Sequence, residues 1–176
     1  MSPAGIALYC ARALGFAAVV CGIWMLTMRL RGRKIRMHTF WAVAYLSALV
    51  EITVIRGGAG LSTLREGGRI APQLIPLHTM IEEWRAGWWP MIYHTLGNLG
   101  WFVPMGFLCV RRRFWVALGL GAAASAGIEL MQYLLASGTP DVDDVILNAL
   151  GAALGWAMGR AFQWIRGRSG RKAQDT

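Results

Sequence analysis

Between Gly127 and Gly155 the sequence reads GIELMQYLLASGTPDVDDVILNALGAALG. It sets Glu129 and Gln132 in one apolar run and Asn148 in the next. Asp141, Asp143 and Asp144 stand between the two runs. Each residue type has a chemistry. A carboxyl buried among apolar groups either pairs with a cation or keeps its proton, and it can then act as an acid or base. Neighbouring aspartates could hold a divalent cation over a phosphate. Asparagine and glutamine can hydrogen-bond a polar headgroup. Upstream, Glu51, His94 and Asn98 also interrupt apolar runs. An ionised side chain at the centre of a bilayer costs about 2.5–3.5 kcal/mol on insertion scales, so residues kept there need a partner or a function. No HExxH, P-loop or GxSxG motif is present. Ser125 lies one turn before Glu129 and reads as a packing residue rather than a nucleophile.

The elements that must carry these residues are apolar. The chain of 176 residues is 56% hydrophobic, with nine Trp. Only 15% of it is charged, against about 25% in an average soluble domain. This composition predicts an all-α integral membrane protein, a single compact bundle over 1–165 with a basic tail at 166–176. Five stretches approach the ~20 residues that cross hydrocarbon. They are 5–28, 38–55, 90–110, 114–136 and 142–165, with a long loop at 56–89. The first run ends in RLRGRKIR and has no basic segment before it, so it reads as a retained span rather than a cleaved leader. Arg12 within it must snorkel or find a partner.

Charge predicts the orientation. Thirteen of the eighteen Lys and Arg residues fall at 29–36, 111–113 and 160–172, on alternate connections. That side is expected to be cytoplasmic, with the N-terminus outside. The net charge of +9 by itself would point to nucleic acid, but the basic residues sit in short blocks between apolar runs and form no nucleic-acid motif. Cys10, Cys21 and Cys109 lie in apolar runs without metal-finger spacing and read as small packing residues.

Helical rise then gives depths. At ~1.5 Å per residue, Glu129 lies ~10 Å below the outer end of its span, His94 ~6 Å, Asn98 ~12 Å, Asn148 ~6 Å and Glu51 ~9 Å. Gln132 is one turn above Glu129 on the same face. The expectation is one polar pocket in the outer half of the bilayer, formed by the last three spans, with Asp141, Asp143 and Asp144 at its rim. Gly151, Gly155 and Gly159 make one small-residue stripe, and Gly119, Ala123 and Gly127 another. Such stripes bring helices close, within the chain or between copies in a homo-oligomer. Pro104 predicts a kink. IEEWRAGWWP predicts a short interfacial helix with Trp84 and Trp88 on one face.

Three blocks are similar to the VanZ-like family of bacterial membrane proteins. QLIPLHTM (73–80) resembles the family's Asn-Leu-Ile-Pro-Phe segment, and GNLGWFVPMGFL (97–108) matches its Asn, Phe, Pro and Gly at Asn98, Phe102, Pro104 and Gly106. In 127–155 the matching positions are Glu129, Gln132, Asp141, Asp143, Asp144, Asn148 and Gly151. Gln73 and Leu77 stand where the family usually has Asn and Phe, and SGTP stands where it often has an Arg. The resemblance implies a multi-pass protein of the bacterial cell membrane, associated with cell-envelope functions and with resistance to teicoplanin-type glycopeptides.

Two classes of function follow as expectations. One is a binding protein, with lipids around it and an amphiphile in its pocket: a lipid headgroup, a lipid-linked cell-wall precursor or a glycopeptide. It needs no cofactor. The other is an enzyme on a lipid-linked phosphate, using the carboxylates and a divalent cation held by Asp141, Asp143 and Asp144. Transport ranks below both, because the polar residues stop halfway through the membrane.

Overall fold

The structure, a computed structural model, describes residues 3–54 and 71–172. The glycine-rich stretch 56–69 and the last residues of the tail, 173–176, lie outside the described residues, as does the Cys10 side chain. The described residues are all-α, with six helices. They are α1 (Pro3–Leu30), α2 (Met37–Thr53), α3 (His78–Ala86), α4 (Trp88–Leu108), α5 (Phe114–Leu135) and α6 (Val142–Lys172). A helix covers most of each stretch expected to span. Among the described residues three segments are long and apolar enough to cross a membrane: Ala11–Leu30, Phe114–Leu135 and Val142–Gly167. The last helix continues past the expected end at Ile165 to Lys172, so the basic tail begins as helix rather than coil.

The described residues divide into two compact units. The first holds α1, α2 and Met131–Gly138. Here α1 packs on α2. Ala13, Ala17 and Cys21 recur every four residues and are all buried, as the helical period requires of an inward stripe. On α2 the buried residues are Ser47, Leu49, Glu51 and Ile52. Ser47 and Thr53 return their hydroxyls to the carbonyls of Val43 and Leu49, each at 2.7 Å. This satisfies polar atoms that hydrocarbon would leave unpaired.

The second unit holds α3, α4, α5 as far as Leu130, and the chain from Thr139 through α6. Its centre is the packing of α4 on α6. A Cβ at Gly106 would overlap the carbonyl of Ala152. One at Gly151 would overlap the Leu99 carbonyl, and one at Gly155 the Val103 carbonyl. These three positions let the two backbones touch, the approach that small residues permit in lipid. The expected stripe on α6 is therefore used within the chain. The expected stripe on α5 is not the one that packs: nothing lies within 4 Å of a Cβ at Gly119 or Gly127. The buried stripe is Ala117, Gly121, Ser125 and Glu129, two residues out of register with it. Helix α4 runs unbroken through Pro104.

The exposed faces are apolar. Leu14, Ile23 and Leu26 on α1 are open, as are Leu120 and Leu130 on α5 and Leu150, Leu154 and Met158 on α6. Soluble chains rarely expose apolar surface on this scale, whereas lipid solvates it without cost.

Candidate functional site

The first turn of α6 organises the polar residues of the second unit. Asp141 immediately precedes α6, and its Oδ1 accepts the backbone N–H of Asp143 at 2.9 Å. This is an N-cap bond to the second helical residue. The Asp141 N–H donates to Glu129 Oε2 at 2.8 Å, and its Oδ2 accepts the hydroxyl of Thr79. Glu129 thus has a backbone donor as its partner.

Asp143 does something different. Helix α3 begins at His78 after Leu77, which sits in the left-handed region at φ 65° and gives no side-chain cap. Asp143 supplies the cap from outside. Its Oδ2 accepts the N–H of Thr79 at 3.0 Å and of Met80 at 3.3 Å, and its Oδ1 accepts the N–H of Leu77. A carboxylate at a helix N-terminus also meets the positive end of the helix dipole. Asp143 is only 1% exposed and Asp141 9%. Both are expected at the rim of a pocket, and in the fold both are buried tie points, since orphan N–H groups at a helix start must be satisfied. Just upstream, Gln73 lies alongside Asp141 as one parallel bridge. It donates to the Pro140 carbonyl at 2.8 Å and accepts the Val142 N–H at 3.0 Å.

The third aspartate reaches the other way. Asp144 Oδ1 lies 2.6 Å from His94 Nε2 and 2.6 Å from Asn98 Nδ2. The other ring nitrogen, His94 Nδ1, lies 2.9 Å from Glu83 Oε2 on α3. Both ring nitrogens of His94 thus face carboxylate oxygens, and as its cation the ring would donate to both. It joins three helices, with Glu83 on α3, its own ring on α4 and Asp144 on α6. Its side chain is 20% exposed, that of Asp144 23% and that of Glu83 27%. One turn further along α6, Asn148 Nδ2 donates to Ser125 Oγ at 2.8 Å. Asn148 is 4% exposed, yet its Oδ1 has no hydrogen-bond partner. A buried amide oxygen in that state loses about 1–3 kcal/mol unless a water or a ligand meets it.

Seven of the nine expected site residues therefore belong to the second unit. They are Glu129, Asn148, Asn98, Asp141, Asp143, Asp144 and His94. Glu51 and Gln132 belong to the first unit and have partners there. Arg12 Nη2 lies 3.1 Å from Glu51 Oε1, the pairing an arginine in an apolar helix needs. Gln132 Nε2 donates to the Thr53 carbonyl at 2.8 Å.

Thr79 and Glu83 escaped the sequence reading. Nothing in their local pattern marks them, since their partners are far along the chain. The one signal was that Thr79 lies within the block QLIPLHTM. The short helix expected in IEEWRAGWWP is α3, but it stops at Gly87, whose φ of 146° starts a new helix at Trp88. Trp84 and Trp88 are thus on different helices, and Trp88 stacks on Trp89 with centroids 4.5 Å apart. Among the described residues no group of three or more His, Cys, Asp or Glu is arranged to hold a metal ion.

No curated protein and no solved structure matches the chain. A family model does, that of VanZ/LLP1, over residues 40–163. That span runs from α2 into α6 and includes every residue of the cluster, so the chain belongs to the VanZ/LLP1 family.

Proposed function

We propose that this is a five-span protein of the bacterial cell membrane, with its N-terminus outside, that binds the polar part of an amphiphilic envelope ligand. The ligand class is a lipid headgroup, a lipid-linked cell-wall precursor or a lipoglycopeptide. The spans are α1, α2, α4, α5 and α6. The distribution of basic residues supports the orientation, which puts the start of α6 in the outer half of the bilayer. Contact with a ligand there is assigned to Asn148, Asn98, Glu129, Asp144 and His94, while Asp141 and Asp143 hold the frame.

The observation that carries this reading is the unpartnered Oδ1 of Asn148. It is a buried acceptor in a cluster whose other polar groups largely satisfy one another, and a donor on a ligand would complete it. In the family setting, a part in teicoplanin-type resistance is the expected phenotype. The test uses cells carrying the Glu129→Gln/Asn98→Ala double variant, with insertion checked separately. Loss of glycopeptide tolerance at normal membrane levels supports the proposal; full tolerance in a correctly inserted protein overturns it.

A second reading, an enzyme on a lipid-linked phosphate, draws on His94 between Glu83 and Asp144. Such a ring can pass a proton between two carboxylates. Purified protein would have to turn over a polyprenyl phosphate or phospholipid, with and without added Mg²⁺, and lose that turnover in His94→Gln.

A further inference from the structure

The other end of the second unit carries a different feature. Between the end of α4 and the last turns of α6 lies a groove of about 310 Å³, lined by Phe107, Val110, Gly159, Phe162, Gln163 and Arg166. At ~30 Å³ per water-sized group, it takes roughly ten methylene-sized units, one segment of an acyl chain. Gly159 sets its floor: a Cβ there would come within 2.9 Å of Val110 and 3.3 Å of Phe107. The rings of Phe107 and Phe162 lie 6.5 Å apart, and both residues are about half exposed, at 44% and 51%.

Charge distinguishes this groove from an ordinary apolar cleft. The Arg166 guanidinium lies over the Phe162 ring at 5.5 Å, and that of Arg160 over the Trp156 ring at 5.7 Å. A guanidinium stacked on a ring keeps its N–H edges free for an oxyanion. Trp156 Nε1 donates to the Arg112 carbonyl at 2.9 Å. That bond ties the turn holding Arg111, Arg112 and Arg113 to α6. No acidic residue occurs in the sequence between Glu83 and Glu129, or between Asp144 and Asp175. Five arginines thus surround this end, and no carboxylate of α4, α5 or α6 neutralises them there.

We propose that this groove binds an anionic phospholipid, its acyl chain along Phe107, Val110 and Phe162 and its phosphate at Arg166. Basic pockets between membrane helices take anionic headgroups for this electrostatic reason. The site is separate from the polar cluster at the start of α6, so neither proposal stands or falls with the other.

The experiment uses the full chain in neutral detergent, titrated with phosphatidylglycerol, phosphatidylcholine or inorganic phosphate. Native mass spectrometry counts the lipids retained, and a melting curve follows stability. The expected result is preferential retention of phosphatidylglycerol and a Tm that rises with it alone. Arg166→Gln, on an exposed position, should weaken it about fivefold, the loss of one basic contact near a lipid surface. Gly159→Leu should exclude it by filling the groove; should that variant fail to fold, Phe162→Ala probes the same wall. Equal retention of the two lipids overturns the proposal, as does unchanged phosphatidylglycerol affinity in Arg166→Gln. Complete displacement by millimolar inorganic phosphate would make this a free-anion site instead. A dimer lost on Gly159→Leu would make it a contact between copies of the chain.

Discussion

Asp143 on α6 accepts the backbone N–H of Thr79 on α3 at 3.0 Å, from 64 residues further along the chain. The first turn of one helix is thereby the N-cap of another. The reciprocal need is plain: α3 lacks a capping side chain of its own, and Asp143 is buried without a basic partner among the described residues. Three backbone donors take the place of a cation.

Replacing that carboxylate should release α3. Asp143→Ala leaves three N–H groups unsatisfied, at about 1–3 kcal/mol for a buried group left unmet. Hydrogen exchange of the 77–86 amides should rise sharply, while that of α4 and α6 interiors stays low. Asp143→Asn, which keeps one acceptor oxygen, should fall between the two. Unchanged exchange in Asp143→Ala would remove the capping role.

The pair Arg12–Glu51 predicts a compensation. Leaving either charge alone in an apolar helix pair costs about 2.5–3.5 kcal/mol. Removing both is close to neutral, as replacing an ion pair by apolar residues often is. Arg12→Leu and Glu51→Leu should each lower Tm in micelles, and the double variant should recover most of the loss. Additive losses would show that the two side chains act independently.

Glycine positions on α5 and α6 should behave oppositely. Gly151→Leu and Gly155→Leu must drive α4 and α6 apart, so each should destabilise by about 3 kcal/mol or more, at the upper end of overpacking costs. Gly119→Leu and Gly127→Leu meet open space, and each should shift stability by less than about 0.5 kcal/mol. A change of oligomeric state in Gly119→Leu, read by light scattering, would identify that open stripe as a contact between copies.

His94→Gln keeps a hydrogen-bonding side chain but can no longer carry a positive charge between Glu83 and Asp144. It should loosen α3 from α4, giving faster proteolysis in 78–87, with α-helix content otherwise unchanged. Adding Glu83→Gln to it should restore part of the protection, since only one carboxylate then remains and the repulsion between the two is gone. Absence of that rescue would count against His94 as the ion that holds them.

Much of this was legible in the sequence because hydropathy and helical period are local properties. Long apolar runs gave the helices, and their boundaries shifted mostly by a few residues. Residues from 127 to 155 marked themselves by being polar where their neighbours are not. Partners across the fold left no such trace. Asp143 and Thr79, or His94 and Glu83, become neighbours only through the packing of α3, α4 and α6. The α5 stripe is the sharpest case. Gly119, Ala123 and Gly127 have the smaller side chains, but Ser125 and Glu129 lie on the competing face. Two polar groups that must be satisfied outweighed the closer approach that glycine offers. At Gly87 a single positive φ separated two tryptophans that spacing alone would have aligned.

The bridge from Gln73 to Pro140 and Val142 also orders the protein in time. A ribosome delivers Gln73 and the whole of α3 long before Asp141 and Asp143 exist. Until α4 and α5 have followed and the start of α6 has emerged, the segment 71–86 has neither its strand partner nor its cap. The segment nearest the polar cluster is therefore fastened last, and its docking reports that the helices after it are in place.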